Sequence, residues 1–125
     1  MQKREDEIIY ENEFLYITQE ISSIPWLKIF SKQDCKELSE CDKKTKESLF
    51  DIMDKIEKVM ISYYKPQKIN IAMFGNYLPK LHIHIMARFK EDSHFPEPMW
   101  GKKQRDAKLN LPDFNEFKKM LLERL

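Results

Sequence analysis

The sequence predicts an α+β fold: an antiparallel sheet of about five strands, one long helix across it and a short C-terminal helix. Three observations carry this. From Asp42 to Tyr63 apolar residues recur at i, i+3, i+4 and i+7, the period of one helix face. Several short runs rich in β-branched and aromatic residues alternate at the period of a strand. The breaks between neighbouring runs are short and polar, which suits antiparallel pairs. At 125 residues the chain reads as a single domain, 1–125, and a chain of that length buries roughly two-thirds of its unfolded surface.

Residues 1–7 are charged and expected to fray. Ile8 to Tyr10 is a short strand candidate, followed by a turn at Glu11-Asn12-Glu13. Phe14 to Glu20 alternates Phe14, Tyr16 and Thr18 with Leu15 and Ile17. Ser22-Ser23-Ile24-Pro25 breaks it, and Trp26 to Phe30 forms the next strand, interrupted by Lys28. Lys32 to Glu40 is irregular. Asp42 or Ser39 is the candidate N-cap of the long helix, whose stripe is Leu49, Ile52, Met53, Ile56, Val59, Met60 and Tyr63. Two methionines lie in it, and helical spacing makes them core. Pro66 stops the helix, with Tyr64 and Lys65 displaced before it. Lys68 to Phe74 and Leu81 to Phe89 are strands joined by a loop of about six residues at Gly75-Asn76. After them, 102–110 reads as a linker within a C-terminal extension, 102–125. Its helix carries Phe114, Phe117, Leu121 and Leu125 on one side, with Asp113 and Glu116 near the start and Arg124 near the end.

Composition excludes several classes. Basic and acidic residues number 22 and 21, so no field favours general nucleic-acid or membrane-surface binding. No apolar run reaches the ~20 residues of a membrane helix. The start of the chain lacks an apolar leader segment. Only two glycines argue against a Gly-rich phosphate loop. Cys35 and Cys41 are six apart; a disulfide between them would close a small loop, and the expectation is a cytoplasmic protein with reduced thiols.

The chemistry concentrates in Lys80-Leu81-His82-Ile83-His84-Ile85-Met86-Ala87-Arg88, which holds two of the three histidines. On a strand, Leu81, Ile83, Ile85 and Ala87 share one face and Lys80, His82, His84, Met86 and Arg88 the other. The first set is a core stripe. The second places two imidazoles side by side between cations. Arg88 reads as a solvated charge at the strand end, and His94 as a surface residue.

This stretch resembles the His-φ-His-φ-His-φ-φ signature of the histidine triad (HIT) superfamily, with Lys80 in the first histidine's place. Asn76 to Pro79 is similar to the Asn-x-x-Pro approach of one bacterial branch. Ala87-Arg88-Phe89 resembles that branch's strand exit, and Phe95-Pro96-Glu97-Pro98-Met99-Trp100-Gly101 its aromatic-Pro-x-Pro-x-Trp-Gly segment. A further histidine common in the superfamily is replaced by Trp26. The resemblance spans about Phe14 to Gly101. It implies a nucleotide hydrolase or nucleotidyl transferase acting at the α-phosphate, with His82 as nucleophile and His84 on the phosphate oxygens or leaving group. It also implies a homodimer, and the Pro96-Glu97-Pro98-Met99-Trp100-Gly101 segment is a candidate contributor to its interface, because Trp100 in a loop is otherwise costly to expose.

His82 suits that role on chemical grounds too. A neutral imidazole is nucleophilic near pH 7 when an acceptor holds one ring nitrogen as N–H and frees the other. Attack on phosphorus then divides one hard displacement into two easier ones, with fixed donors for the oxygens and no metal or cofactor. Lys80 offers donors, and a charge to keep His82 neutral. Asn76 is either a phosphate or ribose contact or a turn residue with positive φ. Trp26 is either a core or wall aromatic or a flat surface for a base; Phe14 and Ile17 are further candidates for base or ribose. The expected ligand is a purine nucleotide or nucleotide conjugate. Two readings compete. A metal held by His82 and His84 would need a third ligand from His94, Cys35 or Cys41, none at telling spacing. A nucleotide-binding dimeric module that has lost catalysis would keep the pocket alone.

Overall fold

The computed structural model describes residues 8–125; the expected fraying of residues 1–7 lies outside them. The strands are β1 (Ile8–Glu11), β2 (Leu15–Gln19), β3 (Trp26–Ser31), β4 (Lys68–Ala72) and β5 (His82–Arg88). They form one five-stranded sheet in the order β1-β2-β3-β5-β4, and every neighbouring pair is antiparallel. The fold is the expected α+β arrangement. Strand β5 is inserted between β3 and β4, so it has neighbours on both edges.

Helix α1 (Lys43–Tyr64) crosses one face of the sheet. Asp42 caps it, its carboxylate accepting from the Thr45 N–H at 2.8 Å, which satisfies one of the donors left free at a helix start. Leu49, Ile52, Ile56, Val59 and Met60 meet Leu15, Ile17, Leu27, Ile29, Ile83, Ile85 and Ala87 in one core. Each fully buried Leu or Ile there contributes roughly 1.5–3 kcal/mol. Met53 and Tyr63 of the expected stripe pack at its margin. Helix α2 (Phe114–Leu122) buries Phe117 and Leu121. It is anchored to α1 by the Tyr63 hydroxyl, which donates to the Asp113 carbonyl at 2.7 Å, and by the tilted ring contact of Tyr64 with Phe117.

Four local expectations are corrected. Tyr64 remains helical and buried, because Lys65 takes the left-handed conformation at φ 50° and absorbs the constraint of Pro66. Strand β4 stops at Ala72, so Met73 and Phe74 enter the loop half-exposed and the connection to β5 runs from 73 to 81. Cys35 and Cys41 are joined in a disulfide rather than held as free thiols. The Cys35 carbonyl accepts from the Leu81 N–H at 3.0 Å, so the disulfide loop abuts the start of β5.

Arg88 is the fourth. Instead of a solvated charge it is 1% exposed. Its Nε and one terminal nitrogen grip the Asp92 carboxylate at 2.9 and 3.0 Å. Its other donors reach Asn70 Oδ1 at 2.8 Å and the Glu97 carbonyl at 2.7 Å. A guanidinium so buried needs all of these partners.

Candidate active site

The face of the sheet away from α1 carries the site, and strand register composes it. In the β3–β5 ladder Phe30 lies opposite His82, Lys28 opposite His84 and Trp26 opposite Met86. Directly opposite and diagonal side chains on one face are within reach of each other. The Phe30 and His82 rings stack at 4.9 Å and 15°. Tyr16 stacks on the far side of Phe30 at 5.0 Å, so three rings in a row fix the His82 plane.

His82 Nδ1 lies 2.7 Å from the Lys80 carbonyl. A carbonyl only accepts, so Nδ1 carries the proton and Nε2 keeps its lone pair. Lys80 therefore acts on His82 through its backbone. Its ammonium turns away, over the Tyr16 ring at 5.3 Å and 3.5 Å from the Tyr16 hydroxyl. The expectation of a lysine charge beside His82 is replaced by this arrangement.

His84 sits 4.9 Å from His82, ring to ring. Its Nδ1 accepts from the Trp26 indole Nε1–H at 3.1 Å. Burial, then the neighbouring His82 and Lys28, pushes its pKa down to about 4, so it is neutral at pH 7. An imidazole with an unfolded pKa near 6.5 and a folded one near 4 binds its proton only in the unfolded state between those values. Stability from this group is complete above about pH 6.5, falls as pH drops toward 4 and levels off below, by on the order of 3 kcal/mol at most. Urea titrations at steps from pH 7 to 4 should show this slope, flattened in His84→Gln; equal slopes in both proteins refute it.

Beside the two imidazoles lies a cavity of about 450 Å³, walled by Phe30, Phe74, Tyr77, Leu78 and Trp100, with Lys28, Asn76, His82 and His84 as its polar groups. A smaller cavity of about 200 Å³ on the other side of His82 is lined by Lys36, Glu37 and Lys80 among others. The structure thus brings together Asn76, His82 and His84 of the sequence-derived candidates. Lys80 faces the smaller cavity. Trp26 stands outside both cavities, behind His84 and edge-on to Trp100 at 5.2 Å. In the loop the positive φ belongs to Gly75, at 74°; Asn76 is exposed on the cavity wall. Ile17 is fully buried in the core and Phe14 lines a separate surface depression, so neither faces His82. His94 is half-buried, hydrogen-bonded to Ser93 at 2.7 Å.

Lys28 is the residue that sequence reasoning missed. It is the cation of the larger cavity, and it pairs with Glu20 at 2.7 Å. The alternation Trp26, Lys28, Phe30 already put it on one face with two aromatics, but only register shows that this face meets His82 and His84. Trp100 closes the site edge-on to His84 at 4.9 Å and to Phe74 at 4.7 Å.

Among the described residues no group of three or more His, Cys, Asp or Glu side chains is placed to hold a metal ion, and no helix is long and apolar enough to cross a membrane. The family model of the HIT domain matches residues 2–91. Among solved structures, a histidine triad protein from Bradyrhizobium japonicum is 26% identical, with TM-score 0.74 over 95% of this chain and 90% of that one. A histidine triad protein from Sinorhizobium meliloti is 24% identical, with TM-score 0.76 over 97% and 92%. The diadenosine triphosphate hydrolase of Plasmodium falciparum shares the fold at 11% identity, with TM-score 0.63 over 95% and 74%. No curated protein matches the sequence.

Proposed function

The chain belongs to the HIT-domain family, and from that membership we propose that it hydrolyses or transfers at the α-phosphate of a purine nucleotide or nucleotide conjugate through a covalent bond to His82. The observation that carries this is the hydrogen bond from His82 Nδ1 to the Lys80 carbonyl. It leaves Nε2 as the nucleophilic nitrogen of a ring that lines the larger cavity. In the first step Nε2 forms a bond to phosphorus as the bond to the leaving group breaks, and the leaving group takes up a proton from solvent as it departs. The ring gains positive charge, which the Lys80 carbonyl stabilises at Nδ1–H. Water then attacks the phosphorus and gives up a proton to solvent, the bond to Nε2 breaks and a nucleoside monophosphate leaves. Lys28, His84 and Asn76 supply the polar contacts for the phosphoryl oxygens. Phe30, Phe74, Tyr77 and Trp100 supply apolar wall for a nucleoside.

We assign the same protein a homodimeric state. Edge strand β4 and the loop after it expose Ile71, Met73 and Phe74; sedimentation as a monomer at micromolar concentration would remove that assignment.

The test is incubation of the protein with adenosine and guanosine 5′-phosphoramidates and a dinucleoside polyphosphate, with EDTA present. The expected result is nucleoside monophosphate, together with an acid-labile nucleotidyl adduct on the peptide containing His82. Absence of turnover with AMP or GMP still bound in calorimetry favours a binding module that has lost catalysis. Turnover lost to EDTA overturns the nucleophile assignment.

A further inference from the structure

We propose that Trp26 is a positioning residue: its indole N–H fixes the proton of His84 on Nε2, making that ring a hydrogen-bond donor to the anion handled by His82. The last clause rests on the function proposed above; the fixed proton does not. An indole nitrogen donates and never accepts. At 3.1 Å from it, His84 Nδ1 must offer its lone pair, and a neutral imidazole has only one N–H, which is then Nε2–H. His82 is held the opposite way by a group that only accepts, the Lys80 carbonyl.

Two adjacent rings thus carry opposed polarity. One presents a lone pair at Nε2 and the other a proton at Nε2, which is the pairing needed by a nucleophile and a donor acting on one phosphoryl group. The groups facing His84 reinforce this. From its own strand comes His82, and from β3 come Lys28 and Trp26. Phe74 and Trp100 complete the surround without charge. A proton added at Nδ1 would point at the indole N–H and sit beside a lysine.

The site survives a change at 26 in shape but not in this contact. Phenylalanine keeps an aromatic ring against Trp100 and removes the donor, whereas histidine restores a ring N–H.

The experiment is a two-bond ¹H–¹⁵N correlation spectrum of the histidine rings at neutral pH, without ligand, on wild type, Trp26→Phe and Trp26→His, with turnover measured on the same samples. The expected wild-type result is a single His84 form protonated at Nε2. In Trp26→Phe a mixture of tautomers should appear and the His84 titration should move upward in pH. Its kcat should fall about three- to tenfold, the size of one neutral hydrogen bond, with part of that regained in Trp26→His. A wild-type His84 protonated at Nδ1 overturns the proposal without any variant, so misfolding of Trp26→Phe cannot shelter it. An unchanged His84 spectrum in folded Trp26→Phe also overturns it, as does altered tautomerism with unchanged kcat. A locked wild-type His84 in a protein that turns over no nucleotide upholds the lock and removes only the function proposed above.

Discussion

His82→Ala should lower turnover by about 10⁴-fold or more while the protein stays folded and still binds nucleoside monophosphate. The size follows from the role. A side chain that forms the covalent intermediate has no substitute, and removing such a group from other enzymes costs on the order of 10⁴–10⁶. A general base acting on water contributes less, typically 10²–10⁴. Stability should change far less. The variant loses the stack on Phe30 and frees the Lys80 carbonyl, which together are worth about 1–3 kcal/mol. A second reading of the same chemistry is stereochemical. Two successive in-line displacements retain configuration at a chiral phosphorus, whereas one inverts it. Inversion in the wild type, or a fall in turnover below about 10²-fold in His82→Ala, would remove the covalent step.

Asp92→Ala should destabilise the protein by about 3–5 kcal/mol, the cost of leaving a buried partner charge unpaired. Arg88 and Asp92 are 1% and 0% exposed, so water cannot replace the lost contact. The carboxylate also accepts from the N–H groups of Phe89, His94 and Phe95 at 2.9, 3.1 and 2.8 Å. Burial alone would raise its pKa, but Arg88 and these three N–H groups together outweigh burial and hold it at about 2. Its stabilising effect is therefore present above about pH 4 and lost as pH falls toward 2, below the window in which His84 titrates. This cluster folds the chain after β5 back toward the site, in the direction of Trp100. Arg88→Met with Asp92→Leu should recover much of the loss, because an apolar pair leaves no charge unmatched. Urea denaturation measures both. A loss under about 1 kcal/mol in Asp92→Ala would show that the cluster is solvated rather than buried.

Local pattern determined much of this protein. The 3.6-residue period of α1 and the two-residue period of β2, β3 and β5 state which side chains share a face. That is enough for the α+β architecture, for the Ile83-Ile85-Ala87 core stripe and for His82 beside His84 on the other side. The signature and its flanks carry the resemblance to the HIT family in sequence alone. What a face meets is a different matter, because it depends on strand order and register between segments far apart in the chain. Only the insertion of β5 between β3 and β4 brings Lys28 and Phe30 opposite the two histidines. Only that register lets the Trp26 indole reach His84 across 58 positions of sequence. Arg88 is likewise a tertiary outcome: Asn70 reaches it from the neighbouring β4, and the chain after β5 folds back over it with Asp92 and the Glu97 carbonyl, so that end of the strand is not solvated. Lys80 was legible as a charge on the histidine face. Its ammonium turned instead to Tyr16, a residue 64 positions away, and its carbonyl, which no side-chain pattern records, became the group that orients His82.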